Sequence, residues 1–430
     1  MTEAPHIAPL DIHYSLPVRG VRLAICSEPR HSAQSLRMVF RAPKGTPAAH
    51  VHLLAAIMER GTKSFPTMRD FTTECDRLYG ANLDWDAFRD GDGMCLGLTV
   101  YFVAPRAVSD RKYEGEVWHL LRESLLEPAF LDPAFDAKLF DVEKTNYGYF
   151  LKHLQTDPSA SAMLSAFKAL LKGDPLAVPF SGTPEQLEGL TLNKLRRLYG
   201  RIVCKGRALA VSDGPVEVAC MESRLSGFLG NGARSGRRIV APFTPPGTAR
   251  RVREEGRGEG DQIAVFFALE RGFKCTRAEL NAAVGVMSSG SQSRLYMKLR
   301  EGSGLAYGNG EFVSPDKRLF AILSSVLPGR GSDAVNLIKR EFRTAARDLR
   351  EEELAALKRE VRAAMLKDLD SPSRISRLLL ITSLRGKKFN PASSLARSES
   401  VKCDRVKAVI AALRPFGDYV ARGSERTTQE

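Results

Sequence analysis

The residues best suited to metal chemistry are the histidines, and all seven of them lie at or before residue 153. Imidazole chemistry is therefore confined to the first half of the chain. The closest pair is His50 and His52. Two zinc ligands on one helix need a spacing of three or four residues to share a face. Because a helix has 3.6 residues per turn, His50 and His52 would point about 200° apart, so they cannot hold one ion together.

The cysteines provide no second metal or redox motif. They are odd in number, scattered, and form no Cys-x-x-Cys pair, so we expect neither a disulfide framework nor a thiolate zinc site. No secretory signal precedes the first strand, and we expect a cytoplasmic protein. The seven cysteines are Cys26, Cys75, Cys95, Cys204, Cys220, Cys275 and Cys403.

The composition is that of a globular chain with more than one domain. The 430 residues are 43% hydrophobic and 27% charged, which excludes collagen-like and disordered classes. No apolar run approaches the roughly 18 residues that span a bilayer, so we expect no membrane association. The net charge of +14 could attract nucleic acid. The basic residues are spread along the chain without a nucleic-acid motif, however, and we expect a basic, solvated surface and no nucleic-acid partner.

The periodicity of apolar residues predicts an alternation of strands and helices in two halves. Strands are predicted over 15–44, over 82–104 and at 207–212, with helices at 50–60, 67–80, 113–126, 135–155 and 159–173. The second half is predicted to begin with a strand at 261–269, followed by a helix containing ELNAAVGVM, a strand at 319–327 and an amphipathic helix at 351–368. Leu354, Leu357, Val361, Ala364 and Met365 fall on one face of that last helix.

The segment 221–260 is rich in Gly, Pro and charge and is the predicted linker. It separates a first domain at 1–220 from a second at 261–430. The two halves could be a diverged repeat, because Val39-Phe40 recurs as Val265-Phe266 at an offset of 226 residues. Both pairs precede an alanine-rich helical segment. Such short apolar matches also arise by chance, so duplication stays open on these residues alone.

The run from His52 to Thr62, HLLAAIMERGT, resembles the pitrilysin/insulinase family of zinc peptidases. The family carries an inverted motif, His-x-x-Glu-His, about five residues before a Gly-Thr pair. Its two histidines bind zinc, and its glutamate acts as general base on the metal-bound water. Counting back from Gly61-Thr62 places the first histidine on His52, the glutamate on Ala55 and the second histidine on Ala56.

The third ligand of the family is a glutamate on a later helix, seven residues after another glutamate. In the segment 141–158, Glu143 matches the first of these and Phe150 stands at the position of the ligand. The resemblance therefore implies a metal site without its base and without two of its three protein ligands. A catalytic zinc needs three protein ligands, so we expect no metal in this chain.

Two alternatives concern the remaining imidazoles. His52 could be a helical histidine near the core with no chemical role. His153 could recruit a metal together with His52 or Asp157, which is the weaker alternative.

A second block, at 285–310, resembles the C-terminal signature of the same family: Ser-Arg-Leu, then Leu-Arg-Glu followed by Gly-Leu-Ala-Tyr. In the family, an Arg and a Tyr seven residues apart bind the substrate backbone and help to stabilise the oxyanion. The matching residues here are Arg300 and Tyr307. Guanidinium and phenol can both donate hydrogen bonds to a carbonyl oxygen that gains charge. Alternatively, Arg300 caps local structure and Tyr307 is an aromatic residue at a strand edge.

The resemblance covers nearly the whole chain and implies an α+β fold of two homologous units. Each unit is expected to be an antiparallel sheet with helices packed on one side, and a linker joins the two. The implied function is that of a catalytically incomplete subunit of a heterodimeric zinc endopeptidase, with no peptidase activity expected alone. A homologous partner would carry the zinc, and this chain would supply Arg300 and Tyr307 to a peptide substrate. The alternative is a peptide-binding or scaffold protein without a proteolytic role.

Overall fold

A computed structural model describes residues 10–423 apart from 136, 230–237, 239, 247, 291 and 303, and without the side chains of 301 and 307–309. The chain forms two compact units, each assembled from separate stretches of sequence. Unit 1 comprises 1–151, 180–239 and 366–392, and unit 2 comprises 152–179, 240–365 and 393–430. The predicted boundaries at residues 220 and 260 divide the sequence into two continuous domains. The compact units exchange segments across those boundaries, so the predicted domain division stays a prediction.

Unit 1 is built on a six-stranded sheet in the order β1-β2-β6-β3-β5-β4. All neighbouring strands are antiparallel except β2 and β6, which run parallel. The strands are β1 (Asp11–Val18), β2 (Val21–Ser27), β3 (Ala33–Arg41), β4 (Asn82–Asp90), β5 (Gly93–Val103) and β6 (Ala208–Gly214).

Unit 2 is built on a five-stranded sheet in the order β7-β11-β8-β10-β9. Its one parallel pair is β7 and β11. The strands are β7 (Arg250–Glu255), β8 (Asp261–Leu269), β9 (Ala306–Ser314), β10 (Leu319–Val326) and β11 (Leu413–Arg422).

Fourteen α-helices lie in the described part of the chain, and a π-helical turn follows the sixth (Gly200–Cys204) and the ninth (Met297–Gly302). The helices are α1 (Ala48–Met58), α2 (Met68–Arg77), α3 (Tyr113–Leu126), α4 (Ala137–Thr156), α5 (Pro158–Leu170), α6 (Leu192–Tyr199), α7 (Val218–Leu229), α8 (Arg277–Ser288), α9 (Arg294–Tyr296), α10 (Gly331–Asp348), α11 (Glu351–Leu369), α12 (Pro372–Leu384), α13 (Pro391–Glu399) and α14 (Cys403–Ala412). No helix in the described ranges is both long enough and apolar enough to cross a membrane.

The two sheets share one plan, which supports the repeat suggested by the sequence. In both, a central strand (β3 or β8) lies between two antiparallel neighbours and leads into an alanine-rich helix (α1 or α8). The last strand of each unit pairs with that central strand on one side and with a parallel strand on the other. The predicted α+β fold of two homologous units is confirmed, with one parallel pair added to each sheet.

Each sheet carries helices on both faces, because its central strand is apolar on both faces. In unit 2, Val265 packs with residues of α8, α10 and α14, whereas Phe266 packs with Ala166 and Leu170 of α5. In unit 1, α12 packs on the β3 face that carries Val39. The helix over this second face comes from the other half of the chain in both units. We expected helices on one side of each sheet, and in the structure an exchanged helix also covers the other side.

Several predicted elements match the structure closely. The predicted helix at 113–126 and the strand at 261–269 coincide with α3 and β8, and the helix at 351–368 with α11 to within one residue. The predicted apolar face of α11 is not a core face along its length, because Leu354 is buried whereas Ala364 is exposed. The strand β1 begins earlier than the predicted one, and α10, α12 and α14 were not anticipated.

A buried ion pair fixes the turn before β10 in unit 2. The Lys317 ammonium donates to Asp174 at 2.8 Å and to the carbonyl of Ala241 at 3.0 Å, and the Lys317 and Asp174 side chains are 2% and 7% exposed. We predict that Asp174→Ala lowers the free energy of unfolding by about 3–5 kcal/mol, since it leaves a buried ammonium without its counter-charge. Urea denaturation of the full chain measures this.

The matched control for that substitution is an exposed ion pair of unit 2, Arg330 with Asp333. Asp333→Ala should cost less than about 1 kcal/mol, because water screens the pair. Equal losses of unfolding free energy in Asp174→Ala and Asp333→Ala would contradict the larger contribution assigned to the buried pair.

A buried carboxyl in unit 1 predicts a pH dependence of stability. Asp213 on β6 is fully buried beside Cys26 on the neighbouring strand, and His31 Nδ1 lies 3.4 Å from its Oδ1. Burial, with a smaller contribution from the charge of Glu28, raises the pKa of Asp213 to about 7. The folded state thus keeps a proton that the unfolded state loses at lower pH, so stability falls as pH rises through this window.

We expect the free energy of unfolding to fall between pH 5 and 7 with a slope of up to about 1.4 kcal/mol per pH unit from this group. Asp213→Asn should flatten the dependence, and denaturation of both proteins at several pH values measures the difference. Parallel curves for the two proteins would exclude Asp213 as the origin.

Candidate functional site

The element that would carry the zinc motif, α1, is held in place by apolar packing. It follows β3 in unit 1, and eight of its eleven residues are buried. Such all-round burial makes α1 a core helix whether or not it binds a metal. The position of α1 therefore does not depend on a metal ligand.

The Gly61-Thr62 pair that anchors the alignment has a defined structural role. Gly61 has φ +140°, and a Cβ there would lie 2.3 Å from the carbonyl oxygen of Phe65, so only glycine fits. The Thr62 hydroxyl donates to the buried carboxylate of Glu123 at 2.9 Å, and the Ser64 hydroxyl donates to the same group at 2.6 Å. The turn after α1 is thus fixed by local chemistry.

The imidazole of His52 is already engaged within unit 1. Its Nε2 lies 3.1 Å from the carbonyl oxygen of Phe180. Because a carbonyl only accepts, Nε2 carries the proton and cannot also bind a metal. The ring stacks on Tyr147 with centroids 5.8 Å apart and an interplanar angle of 15°. Burial lowers the pKa of His52, so the ring is held in its neutral form.

The other positions of the motif carry no ligand atoms. Ala55 is buried and Ala56 half-buried on α1. Phe150, which stands where the third ligand is expected, is 45% exposed, and its ring centroid lies 5.6 Å from that of Tyr147. Glu143, the matched first glutamate, is buried and pairs with Arg60 at 2.5 Å. Two methyl groups and an aromatic ring thus stand at the three positions where the resemblance implies the base and two ligands.

Four side chains form an aromatic patch, defined here as His52, Tyr147, Phe150 and Phe180. Phe180 is 56% exposed and lies 6.3 Å from the His52 ring, centroid to centroid. Stacked rings with exposed outer members offer apolar area and π-faces. The polar groups of His52 and Tyr147 already donate to the carbonyls of Phe180 and Ser181, so the patch does not present the ligand set that a divalent metal needs.

The weaker metal alternative, His153 with His52 or Asp157, is not supported. Across the described ranges, no group of three or more His, Cys, Asp or Glu side chains is placed to hold a metal ion. The Asp157 carboxylate caps α5 by accepting from the Ala160 amide at 2.7 Å. On α1, Nε2 of His50 contacts the carbonyl of Gln186 at 2.6 Å.

Arg300 lies on the π-helical turn that follows α9 in unit 2, and its side chain is exposed. The turn is anchored by Leu299, which is fully buried and whose carbonyl accepts from the Leu305 amide at 2.8 Å. The guanidinium donates to the Tyr296 hydroxyl at 2.6 Å and lies 5.3 Å from the centre of that ring. Arg300 is therefore held by a neighbouring aromatic residue while it faces solvent.

Tyr307 lies at an irregularity near the start of β9. In the pairing with β10, Ser325 lies opposite Gly308 and Val326 opposite Ala306, so Tyr307 is an extra residue in the ladder. Bulges of this kind re-aim side chains and are common beside active sites. The side chain of Tyr307 lies outside the described residues, and its role stays a prediction.

Sequence reasoning missed the residues that now surround the predicted positions. Tyr147 and Phe150 share a face of α4 because they are three residues apart, and that spacing could have indicated an aromatic pair. The role of Tyr296, four residues before Arg300, follows from the same rule. Phe180 lies on a connecting segment, and no local pattern reveals its contact with His52.

Comparisons with known proteins agree with this picture. Residues 189–361 match the family model described as "Peptidase M16 inactive domain". The chain is 22% identical over 366 residues to the "Probable inactive metalloprotease YmfF" of Bacillus subtilis, covering 83% of this chain and 85% of that one. It is 27% identical over 289 residues to an "Uncharacterized zinc protease" of Mycobacterium tuberculosis, covering 64% and 66%.

Solved structures share the fold over almost the entire length. A conserved protein from Enterococcus faecalis superposes with a TM-score of 0.85 at 17% identity, covering 97% of this chain and 99% of that one. A "peptidase M16 inactive domain" from Pseudomonas fluorescens gives 0.82 at 16% identity, covering 98% and 100%. The predicted resemblance to a zinc-peptidase family with a degenerate motif is confirmed.

The alignment of the lost site predicts the behaviour of restored ligands. Ala55→Glu with Ala56→His should bind less than one zinc per chain and cleave no peptide, because Phe150 still stands at the third position and Nε2 of His52 still donates to Phe180. Adding Phe150→Glu should raise the zinc content, since zinc can then displace the Nε2 proton of His52 from the Phe180 carbonyl and gain three ligands. Mass spectrometry of bound metal on the purified proteins, with circular dichroism to verify folding, measures both.

Stoichiometric zinc together with peptide cleavage in the double variant would refute the alignment. A triple variant that is folded yet binds no more zinc than the wild type would show that residue 150 is not the third position.

Proposed function

We propose that this chain, a relative of the M16 peptidases without their zinc ligands, is a non-catalytic subunit that acts with a homologous zinc-bearing partner. The proposal rests on the contrast between the zinc-motif segment on α1 and the segment that contains Arg300 and Tyr307. The zinc positions of α1 hold a hydrogen-bonded histidine and two alanines, whereas Arg300 stays exposed on a fixed turn seven residues before the bulge at Tyr307. A split site gives a reason for both facts.

In the proposed complex, the partner supplies zinc, which activates the attacking water. This chain supplies hydrogen-bond donors. Arg300 would bind the backbone carbonyl of the peptide near the scissile bond, and Tyr307 would donate to the oxygen that gains negative charge. Donors placed in advance stabilise that charge without reorganisation of solvent, which makes them effective in the transition state.

The names of the relatives support the non-catalytic assignment. One is called a probable inactive metalloprotease and another a zinc protease, so both kinds of chain occur among the relatives. A pair formed from one chain of each kind would contain one complete zinc site. A cytoplasmic location belongs to the same proposal.

A second candidate function is peptide binding without proteolysis, and the aromatic patch favours it. Phe150 and Phe180 expose ring surface in unit 1 where the family would bind metal and substrate. Exposed rings could hold an apolar side chain of a peptide. This candidate needs neither a partner nor Arg300.

The identity of the partner is tested by purifying the tagged chain from its native cells and identifying what co-purifies in a stoichiometric amount. A partner with His-x-x-Glu-His supports the split site. Recovery of the chain alone favours the peptide-binding candidate. Substitution of Phe150 and Phe180 by serine then tests that candidate by its effect on peptide affinity.

The role of Arg300 and Tyr307 predicts a kinetic effect in the complex. Arg300→Ala or Tyr307→Phe should lower the kcat of peptide hydrolysis by roughly 10²-fold or more, as is typical for loss of one oxyanion donor. Turnover of a fluorogenic peptide by the purified complex measures the loss. Arg359→Ala, an exposed arginine of α11 in the same unit, is the matched control and should leave kcat unchanged. Normal turnover by both site variants would overturn the assigned role.

A further inference from the structure

A cavity at one end of the unit 1 sheet collects arginines that the zinc chemistry does not use. Its volume is about 520 Å³, within the range of small-molecule sites. Arg22 on β2, Arg41 on β3 and Arg207 just before β6 reach it from three neighbouring strands. Arg385, at the end of α12, and Arg238 complete the set.

The backbone fixes the three strand arginines side by side. The amide of Arg41 donates to the carbonyl of Arg207 at 3.2 Å. Arg22 is paired in register with Leu209 in the parallel ladder of β2 and β6, and Val39 lies opposite Leu209 on the other side. Residues two apart on a strand share a face, so Arg22, Arg207 and Arg41 extend the face that carries Leu209 and Val39.

The charge of the cavity is strongly unbalanced. Its acidic neighbour is Asp90, which pairs with Arg238 at 2.8 Å and also with Arg41. Five arginines thus line the cavity, and one carboxylate pairs with two of them. In the described part of the chain, no ion pair is formed by Arg22, Arg207 or Arg385. The sequence on both sides of Arg238 supplies no acid, because residues 223–253 contain neither Asp nor Glu.

The neighbouring charges also act on Arg22. Burial, and then the charges of Arg41 and Arg207, lower the pKa of this guanidinium, while Asp90 opposes them. An arginine does not lose its proton in proteins, so a bound anion would relieve the repulsion within the cluster.

We infer that this cavity binds a small organic phosphate with at least two negative charges, held by Arg22, Arg207 and Arg385. Asp90 holds Arg41 and Arg238 in place beside them. The planar guanidinium fork matches phosphate oxygens in pairs. The arginines surround one compact space, which suits the concentrated charge of phosphate groups better than an extended acidic chain.

The rest of the wall is apolar and suits the organic part of such a ligand. Leu16, Val39, Leu209 and Leu384 line the same cavity. A ligand with a ring or chain next to its phosphates can pack there. Inorganic pyrophosphate would use the arginines alone, and a nucleoside triphosphate would use both kinds of wall. The inference does not depend on the proposed zinc-bearing partner.

Calorimetric titration of the full chain at constant ionic strength tests this, with pyrophosphate, ATP and hexaglutamate as probes. We expect saturable binding of one pyrophosphate per chain and tighter binding of ATP. Arg22→Gln with Arg207→Gln should weaken both by at least about tenfold, since two charge-assisted contacts are lost.

The matched control is Arg69→Gln with Arg111→Gln, two exposed arginines of unit 1 outside the cavity. It removes the same charge and should change affinity by no more than about twofold from long-range attraction. The absence of saturable phosphate binding, or equal losses in the two double variants, would overturn the inference. Tighter binding of hexaglutamate than of either phosphate, lost in the cavity variant, would replace it with an acidic-peptide site.

A second measurement needs no variant and covers the case in which the cavity variant fails to fold. Phenylglyoxal modifies accessible arginines of the wild-type chain, and peptide mapping locates the modified positions. Saturating pyrophosphate should protect Arg22 and Arg207 and leave Arg69 and Arg111 reactive. Equal reactivity with and without pyrophosphate at all four positions would contradict the site.

Discussion

The structure depends on one constraint: a strand that is apolar on both faces must be covered on both. All nine residues of β8 are buried, and so are all seven of β6. Burial of apolar area is the dominant favourable contribution to folding, so neither sheet could leave its second face to water. In each unit the missing layer is one helix taken from the opposite half of the chain, α12 for unit 1 and α5 for unit 2. Because of this exchange, the core of each unit needs residues from both halves of the chain.

The same constraint separates the scaffold of the site from its chemistry. The helix α1 is held by eight buried residues, and the turn after it by Gly61 and Glu123. None of these contacts involves a metal. The position of the helix therefore does not depend on the glutamate and second histidine that the resemblance implies, and aromatic rings lie beside His52. The second block is organised differently, since Arg300 is held by Tyr296 in unit 2 and needs nothing from α1.

Local periodicity was enough to predict α3 and β8, whereas the motif positions counted back from Gly61-Thr62 stay a prediction. Local periodicity could not predict the exchange of α12 and α5, because an apolar stripe does not specify which sheet it covers. The stripe on α11 illustrates the limit: only Leu354 of its five residues is buried. The aromatic patch and the arginine cavity were missed for a related reason. Strand pairing brings the arginines of the cavity together, whereas the rings of the patch come from α1, from α4 and from a connecting segment.

The exchanged helices also impose an order on biosynthesis. Unit 1 completes its last strand, β6, at residue 214, but its second covering helix ends at residue 384. At about 5–20 residues per second, the ribosome needs roughly ten to thirty seconds to make the intervening stretch. During that interval the face around Val39 and Leu209 has no helix over it, although the sheet beneath it can already pair. The nascent chain thus exposes an apolar surface for many seconds.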